Sequence, residues 1–222
     1  MNTLIRTALL SALLACLAFA AASVEVDADI PGGNILIESV TGDTIRVRQD
    51  LRDTQGQWFY WAFRVRGAAG RTLRVEFTDG NVIGMRGPAV SLDLGKTWQW
   101  LGADAVQGAS FRYQVPPTAS EVRFSMNIPY FESDLRAFLR RHSGNPSLEA
   151  RVLAQSGKGR PIEQLRLGRL DGRAPHRVLL TARHHACESL ASYSLEGILE
   201  TILGVSDDGR WLRENVEFLV VP

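Results

Sequence analysis

The residues most able to do chemistry sit late in the chain, in the run Val178-Leu179-Leu180-Thr181-Ala182-Arg183-His184-His185-Ala186-Cys187-Glu188-Ser189. His185 and Glu188 are three apart. On a tight turn entering a helix, that spacing aims an imidazole nitrogen and a carboxylate at one point, and zinc accepts both at about 2.0–2.2 Å. A carboxylate at a helix start is also favoured by the positive end of the helix dipole. The spacing is equally compatible with no metal, Glu188 being then a helix-start acid and His185 a loop histidine. His184 is four residues from Glu188 and competes as a ligand. Cys187 is a soft potential ligand, but it lies between the two residues and reads as a small packing side chain pointing away. Arg183 is either a donor behind the ligands or an exposed loop arginine. His142 and His176 fall in polar turns and read as solvated.

These groups need a strand to deliver them and a helix to receive them. The apolar run 177–182 reads as a buried strand ending in the polar turn, and ligand sites in α/β sheets lie at such C-terminal strand ends. Residues 188–203 read as a helix whose stripe is Tyr193, Leu195, Ile198, Leu199, Ile202 and Leu203. The unbroken apolar run 216–221 suits a second buried strand, which completes a βαβ unit. Upstream, 148–154 and 162–167 read as strands, with turns at Gly157, Gly159 and Gly172. Before them, Ser133 reads as the cap of a helix with Asp134 at its start, Arg140 and Arg141 at its solvated end, and Leu135, Phe138 and Leu139 as its apolar stripe.

The first half has another rhythm. Short runs at 35–37, 45–47, 58–65, 73–77, 111–115 and 122–126 are separated by Gly, Asp, Asn and Pro, which is the spacing of an antiparallel β-sandwich. Period-2 geometry puts Phe59, Trp61, Phe63 and Val65 on one continuous apolar side, read as core in preference to an aromatic sugar platform. Trp98 and Trp100 alternate in the same way and take the same reading.

The ends and the composition set the outer bounds. Arg6, the apolar residues from Ala8 to Phe19 and Ala18-Phe19-Ala20 read as a secretory leader over 1–20, too short for a membrane span. Leu13-Leu14-Ala15-Cys16 also resembles a lipobox. After cleavage Cys187 is the one remaining cysteine, so no intramolecular disulfide can form. With 25 Lys plus Arg against 24 Asp plus Glu, the chain carries no electrostatic footprint for nucleic acid or an anionic membrane. There is no Gly-x-Ser-x-Gly elbow and no phosphate-cradling glycine motif.

The segment Ala182-Arg183-His184-His185-Ala186-Cys187-Glu188-Ser189 resembles the zinc carboxypeptidase family, in particular its cytosolic carboxypeptidase-like branch. Asn127-Ile128-Pro129-Tyr130 is similar to that branch's aromatic-Pro-Tyr junction between an N-terminal β-domain and the peptidase domain. Ser156-Gly157-Lys158-Gly159-Arg160 is like its Gly-Arg turn. With the leader over 1–20 set aside, the resemblance implies an α+β chain: an antiparallel β-sandwich over 21–128 and a truncated α/β zinc-carboxypeptidase domain over 129–222. It implies a metallocarboxypeptidase acting on peptide or protein C-termini with Zn²⁺ as cofactor; the leader, which departs from the cytosolic members of that branch, puts the chain in the periplasm or outside the cell without stable membrane insertion, so cytosolic partners are not carried over. By the same resemblance His185 and Glu188 are the first two zinc ligands. The third ligand, the general-base glutamate and the pair that grips the terminal carboxylate would follow Pro222, so no catalytic residue is expected within the chain. The alternative is a non-catalytic envelope binding protein with a β-sandwich recognition domain and a degenerate peptidase half.

Overall fold

The computed structural model describes residues 23–52, 54 and 60–222. The expected leader over 1–20, and Trp58 and Phe59 of the aromatic run, lie outside the described residues.

The first half consists of short strands: β1 (Glu25–Asp27), β2 (Leu36–Thr41), β3 (Thr44–Arg48), β4 (Ala62–Arg66), β5 (Thr72–Phe77), β6 (Ala89–Ser91), β7 (Gln99–Trp100), β8 (Val106–Gln107), β9 (Ser110–Gln114) and β10 (Glu121–Ser125). They form two five-stranded sheets, in the orders β1-β4-β10-β6-β7 and β2-β3-β5-β9-β8. Alternate residues of each strand point the same way, so Phe63 and Val65 of the first sheet and Ile45, Val47, Leu73 and Val75 of the second enter one shared apolar cluster. Trp61 is fully buried in it, 4.7 Å from the Phe77 ring, and its indole N–H donates to the Val82 carbonyl at 2.9 Å.

Two expectations need correction here. The antiparallel assignment fails at one ladder, because β3 and β5 pair in parallel. The chain leaves β3, runs through β4 in the other sheet and returns as β5, and such a crossover permits parallel neighbours where a hairpin cannot. Trp98 and Trp100 are only half-buried. They belong to the hairpin at the sheet edge, where the Trp98 indole donates to the Gly95 carbonyl at 3.0 Å and the Arg86 guanidinium lies 5.9 Å above the Trp100 ring.

The second half contains α1 (Glu132–Arg141), β11 (Leu148–Gln155), β12 (Pro161–Gly168), β13 (His176–Thr181), α2 (Ser189–Leu203), α3 (Asp207–Asn215) and β14 (Val216–Val221). Its sheet runs β11-β12-β14-β13, with β13 and β14 parallel and joined through α2 and α3. Leu165, Leu167, Phe218 and Val220 share one sheet face and pack with Phe138, Leu195, Leu199 and Ile202 of the helices. No helix among the described residues is long and apolar enough to cross a membrane.

The start of α1 differs from the expected one. Its cap position is Phe131, whose N–H donates to the Asp134 carboxylate at 2.6 Å, and Ser133 lies inside the first turn. A carboxylate at this third position reaches back to an orphan donor and gains from the helix dipole at once. The far end of α1 is not merely solvated. Arg141 pairs with Glu196 at 2.6 Å and Glu200 at 2.9 Å, and His142 Nε2 lies 2.8 Å from Glu200, because α2 presents two acids one turn apart at that point. Helix α3 was not anticipated. Ser206 caps it by accepting from the Gly209 N–H at 3.1 Å, and Gly209 must be small, since a Cβ there would lie 2.5 Å from the Thr201 carbonyl oxygen. Finally, β13 is an exposed edge strand where a buried one was expected. Leu179 is 65% exposed, because among the described residues β13 pairs with β14 alone and its outer face is open.

Candidate metal centre

Residues 182–188 connect β13 to α2. The turn begins at Arg183, whose φ of +55° is left-handed, a conformation costing a residue with a Cβ about 1–2 kcal/mol. The guanidinium offsets that cost. Its Nε and Nη2 donate to the Ala186 carbonyl at 3.3 and 3.2 Å, and Nη1 donates to the Tyr130 carbonyl. Arg183 therefore bonds the backbone of the turn, where the sequence left it either a donor behind the ligands or an exposed loop arginine.

The reversal sends the two histidines to different places. His184 Nε2 folds back to within 3.1 Å of Thr181 Oγ1. His185 Nδ1 lies 2.9 Å from Glu188 Oε1, and the His185 N–H donates to Glu188 Oε2 at 3.0 Å. The His185 hydrogen bond, followed by its backbone amide, holds the Glu188 carboxyl below its usual range. The His185 side chain is 75% exposed and that of Glu188 42%, so the pair opens to solvent. Cys187 is half-buried, burial pushes its thiol pKa up, and its carbonyl accepts from Asn127 Nδ2.

The donor set suits a divalent cation. Two ligands about 2.1 Å from a tetrahedral zinc stand about 3.4 Å apart. The observed 2.9 Å contact would open by about 0.5 Å to admit the metal. Nδ1 would then carry no proton, which places the imidazole proton on Nε2. Among the described residues, no group of three or more His, Cys, Asp and Glu side chains gathers to hold a metal.

A cleft of about 740 Å³ adjoins the turn, walled by Gly32 and Tyr60 from the first half and by Tyr130, Phe131, Arg183 and Ala186 from the second. The contribution of the first half was missed in the sequence. Its signal was Pro31-Gly32-Gly33: Gly32 has φ +70°, a Cβ there would lie 2.4 Å from the Tyr60 hydroxyl, and that hydroxyl donates to the Gly32 carbonyl at 2.6 Å.

No family model matches the chain. The chain is 28% identical over 211 residues to an uncharacterized protein of Zymomonas mobilis, covering 90% of this chain and 53% of that one. It is 27% identical over 213 residues to cytosolic carboxypeptidase 2 of Danio rerio, covering 80% of this chain and 29% of the relative. Among solved structures, a metallo-carboxypeptidase from Burkholderia cenocepacia superposes with a TM-score of 0.74 at 24% identity, over 90% of this chain and 55% of that one. A metallo-carboxypeptidase from Pseudomonas aeruginosa, solved with (2-guanidinoethylmercapto)succinic acid, superposes at 0.71 with 26% identity, over 89% of this chain and 54% of that one. The chain thus spans about half the length, or less, of the proteins it matches. The fold of about nine-tenths of this chain is that of the metallo-carboxypeptidases it superposes on, which with the curated relative supports a carboxypeptidase relationship.

Proposed function

We propose that this chain carries the first two ligands, His185 and Glu188, of a zinc-dependent metallocarboxypeptidase that is exported and trims peptide C-termini in the periplasm or outside the cell. The observation that carries this reading is the pairing of His185 Nδ1 and Glu188 at 2.9 Å on a strand-to-helix turn, in a fold shared with metallo-carboxypeptidases. Bound zinc in such a site activates a water and polarises the scissile carbonyl.

The residues present have definite tasks in that scheme. Glu188, held ionised below the usual carboxylate range, supplies an anionic ligand, and His185 supplies a neutral one. Arg183 keeps the turn in the left-handed geometry that aims both. Tyr60 and Gly32 wall the cleft through which a peptide would approach. A hydrolytic zinc takes three protein ligands and a water, so a third donor, together with the general base and the cation that binds a terminal carboxylate, belongs to residues other than those described.

Metal analysis tests the ligand assignment. In a form that carries the complete site, zinc binding should collapse in His185→Ala and Glu188→Ala and persist in His184→Ala and Cys187→Ala, because only the first two change the ligand count. The reverse ranking would move the site to His184. The 222 residues alone should bind zinc weakly and release no amino acid from a mixed peptide pool. Chelator-sensitive turnover would show that they build a complete site from groups not identified above.

A further inference from the structure

Three consecutive backbone carbonyls at the junction of the two halves face the turn and its helix. The Ile128 carbonyl accepts from the Ser189 hydroxyl at 2.6 Å, the Pro129 carbonyl from the Tyr193 hydroxyl at 2.7 Å, and the Tyr130 carbonyl from the Arg183 guanidinium. Asn127, just before them, uses both ends of its amide. Its Nδ2 donates to the Cys187 carbonyl, and its Oδ1 lies 2.9 Å from Ser189 Oγ, whose single proton is shared between Asn127 and Ile128. The amide orientation follows from the network, since a carbonyl can only accept. Asn127 is 6% exposed and Ser189 fully buried, so water cannot stand in for these partners.

From 183 to 189, the residues so held are Arg183, Ala186, Cys187 and Ser189. His185 and Glu188 bond to each other and project into solvent. The turn is clamped at its root and free at its tip.

We infer that Asn127 is a positioning residue for this turn: by fixing the Cys187 carbonyl and the Ser189 hydroxyl, it sets the separation of His185 and Glu188 and thereby the affinity of the pair for a divalent cation. The affinity part rests on the metal reading proposed above; the conformational part does not. Asparagine suits the place because it offers a donor and an acceptor on one short planar group. Aspartate would turn an oxygen toward the Cys187 carbonyl, and alanine would leave that carbonyl without its donor and Ser189 with Ile128 alone.

The test compares the whole chain with Asn127→Asp, Ser189→Ala and Tyr193→Phe. The last removes a junction hydrogen bond that does not touch the turn, so it reports what loosening the junction does by itself. Zinc chloride is titrated while the His185 imidazole resonances are followed, and exchange of the His185 N–H, which donates to Glu188, is measured without metal. Asn127→Asp should weaken zinc binding about tenfold or more, as outer partners of metal ligands do, and should speed His185 N–H exchange. Ser189→Ala should move both in the same direction by a smaller factor, and it carries the test if Asn127→Asp does not fold. Tyr193→Phe should lower thermal stability while leaving both near wild type. Unchanged affinity and exchange in the Asn127 and Ser189 variants, or equal changes in Tyr193→Phe, would overturn the inference and leave Asn127 as mere cement. If the wild-type His185 resonances ignore zinc, the metal reading fails instead, and exchange alone decides whether Asn127 positions the turn.

Discussion

The two halves of this molecule bury their apolar residues in different ways. In the first, strands from two sheets close on one cluster, and Trp61, Phe63, Phe111 and Phe124 are all fully buried. In the second, helices cover one face of a four-stranded sheet, and the other face carries a charged network in which Glu217 meets Arg166 and Arg177. Glu217 is only 6% exposed, yet it lies between two strand neighbours that supply cations. The half with an open sheet face and edge keeps its candidate site at a solvent-facing strand end, where a ligand can arrive.

The contrast can be broken most severely at Trp61. Trp61→Ala should cost about 3–5 kcal/mol, as large-to-small changes in a packed core do, and chemical denaturation should show the loss in the transition of the first half. The parallel change on the open edge, Leu179→Ala, should stay within about 0.5 kcal/mol, since exposed positions carry little packing energy. A large effect at Leu179 would mean that β13 is covered in solution.

An intermediate effect is expected at Glu217. Glu217→Gln should cost about 1–2 kcal/mol, a charge-assisted bond discounted for the solvent that reaches Arg177. The Arg166 hydrogen bond, ahead of the charges of Arg166 and Arg177, holds the Glu217 carboxyl below its ordinary value of 4.5. A depressed carboxylate contributes stability in full above its unfolded pKa and loses it as pH falls through the lower folded value. Acid titration of stability should therefore fall less steeply below 4.5 in Glu217→Gln than in wild type. Equal slopes would remove Glu217 from the account.

The smallest effect is local and falls in the first half. Asp93 accepts from Ser91 Oγ at 2.9 Å, from the Lys96 and Thr97 amides at 3.1 and 2.9 Å, and from Thr97 Oγ1 at 2.6 Å. With the Thr97 side chain the largest cause, these bonds lower its pKa from 3.8 to about 2. The hairpin should hold its amides at pH values above 3.8 and release them progressively as pH falls toward 2. Hydrogen exchange at Lys96 and Thr97 in Asp93→Ala should rise with little change in the global unfolding midpoint. A global collapse would show that the hairpin is part of the core.

Much of this architecture was legible because it rests on local rules. The run 216–221 became β14 without adjustment, and the period-2 side of Trp61, Phe63 and Val65 entered the core, since side-chain alternation along a strand needs no knowledge of partners. Residues 188–203 became α2 with Glu188 at its cap position, for the same reason at helical period. Helix α3 escaped because its apolar positions are few, and the Ser206-Asp207-Asp208 cap was its only strong signal. The cap of α1 was misplaced at Ser133 because a residue's propensity does not say whether a later carboxylate will reach further back.

The candidate site divides along the same line. By itself the sequence determined that a histidine and a glutamate three residues apart follow a strand and open a helix, because covalent spacing and helical geometry place them near one another whatever surrounds them. Only the tertiary structure decided that His185 rather than His184 meets Glu188, that Arg183 and Asn127 clamp the turn at its root, and that Gly32 and Tyr60 wall the adjoining cleft. The physical reason is sequence distance: Asn127 lies 60 residues from Cys187, and hydrogen bonds across such a gap depend on how two separately built cores dock, which no local period encodes.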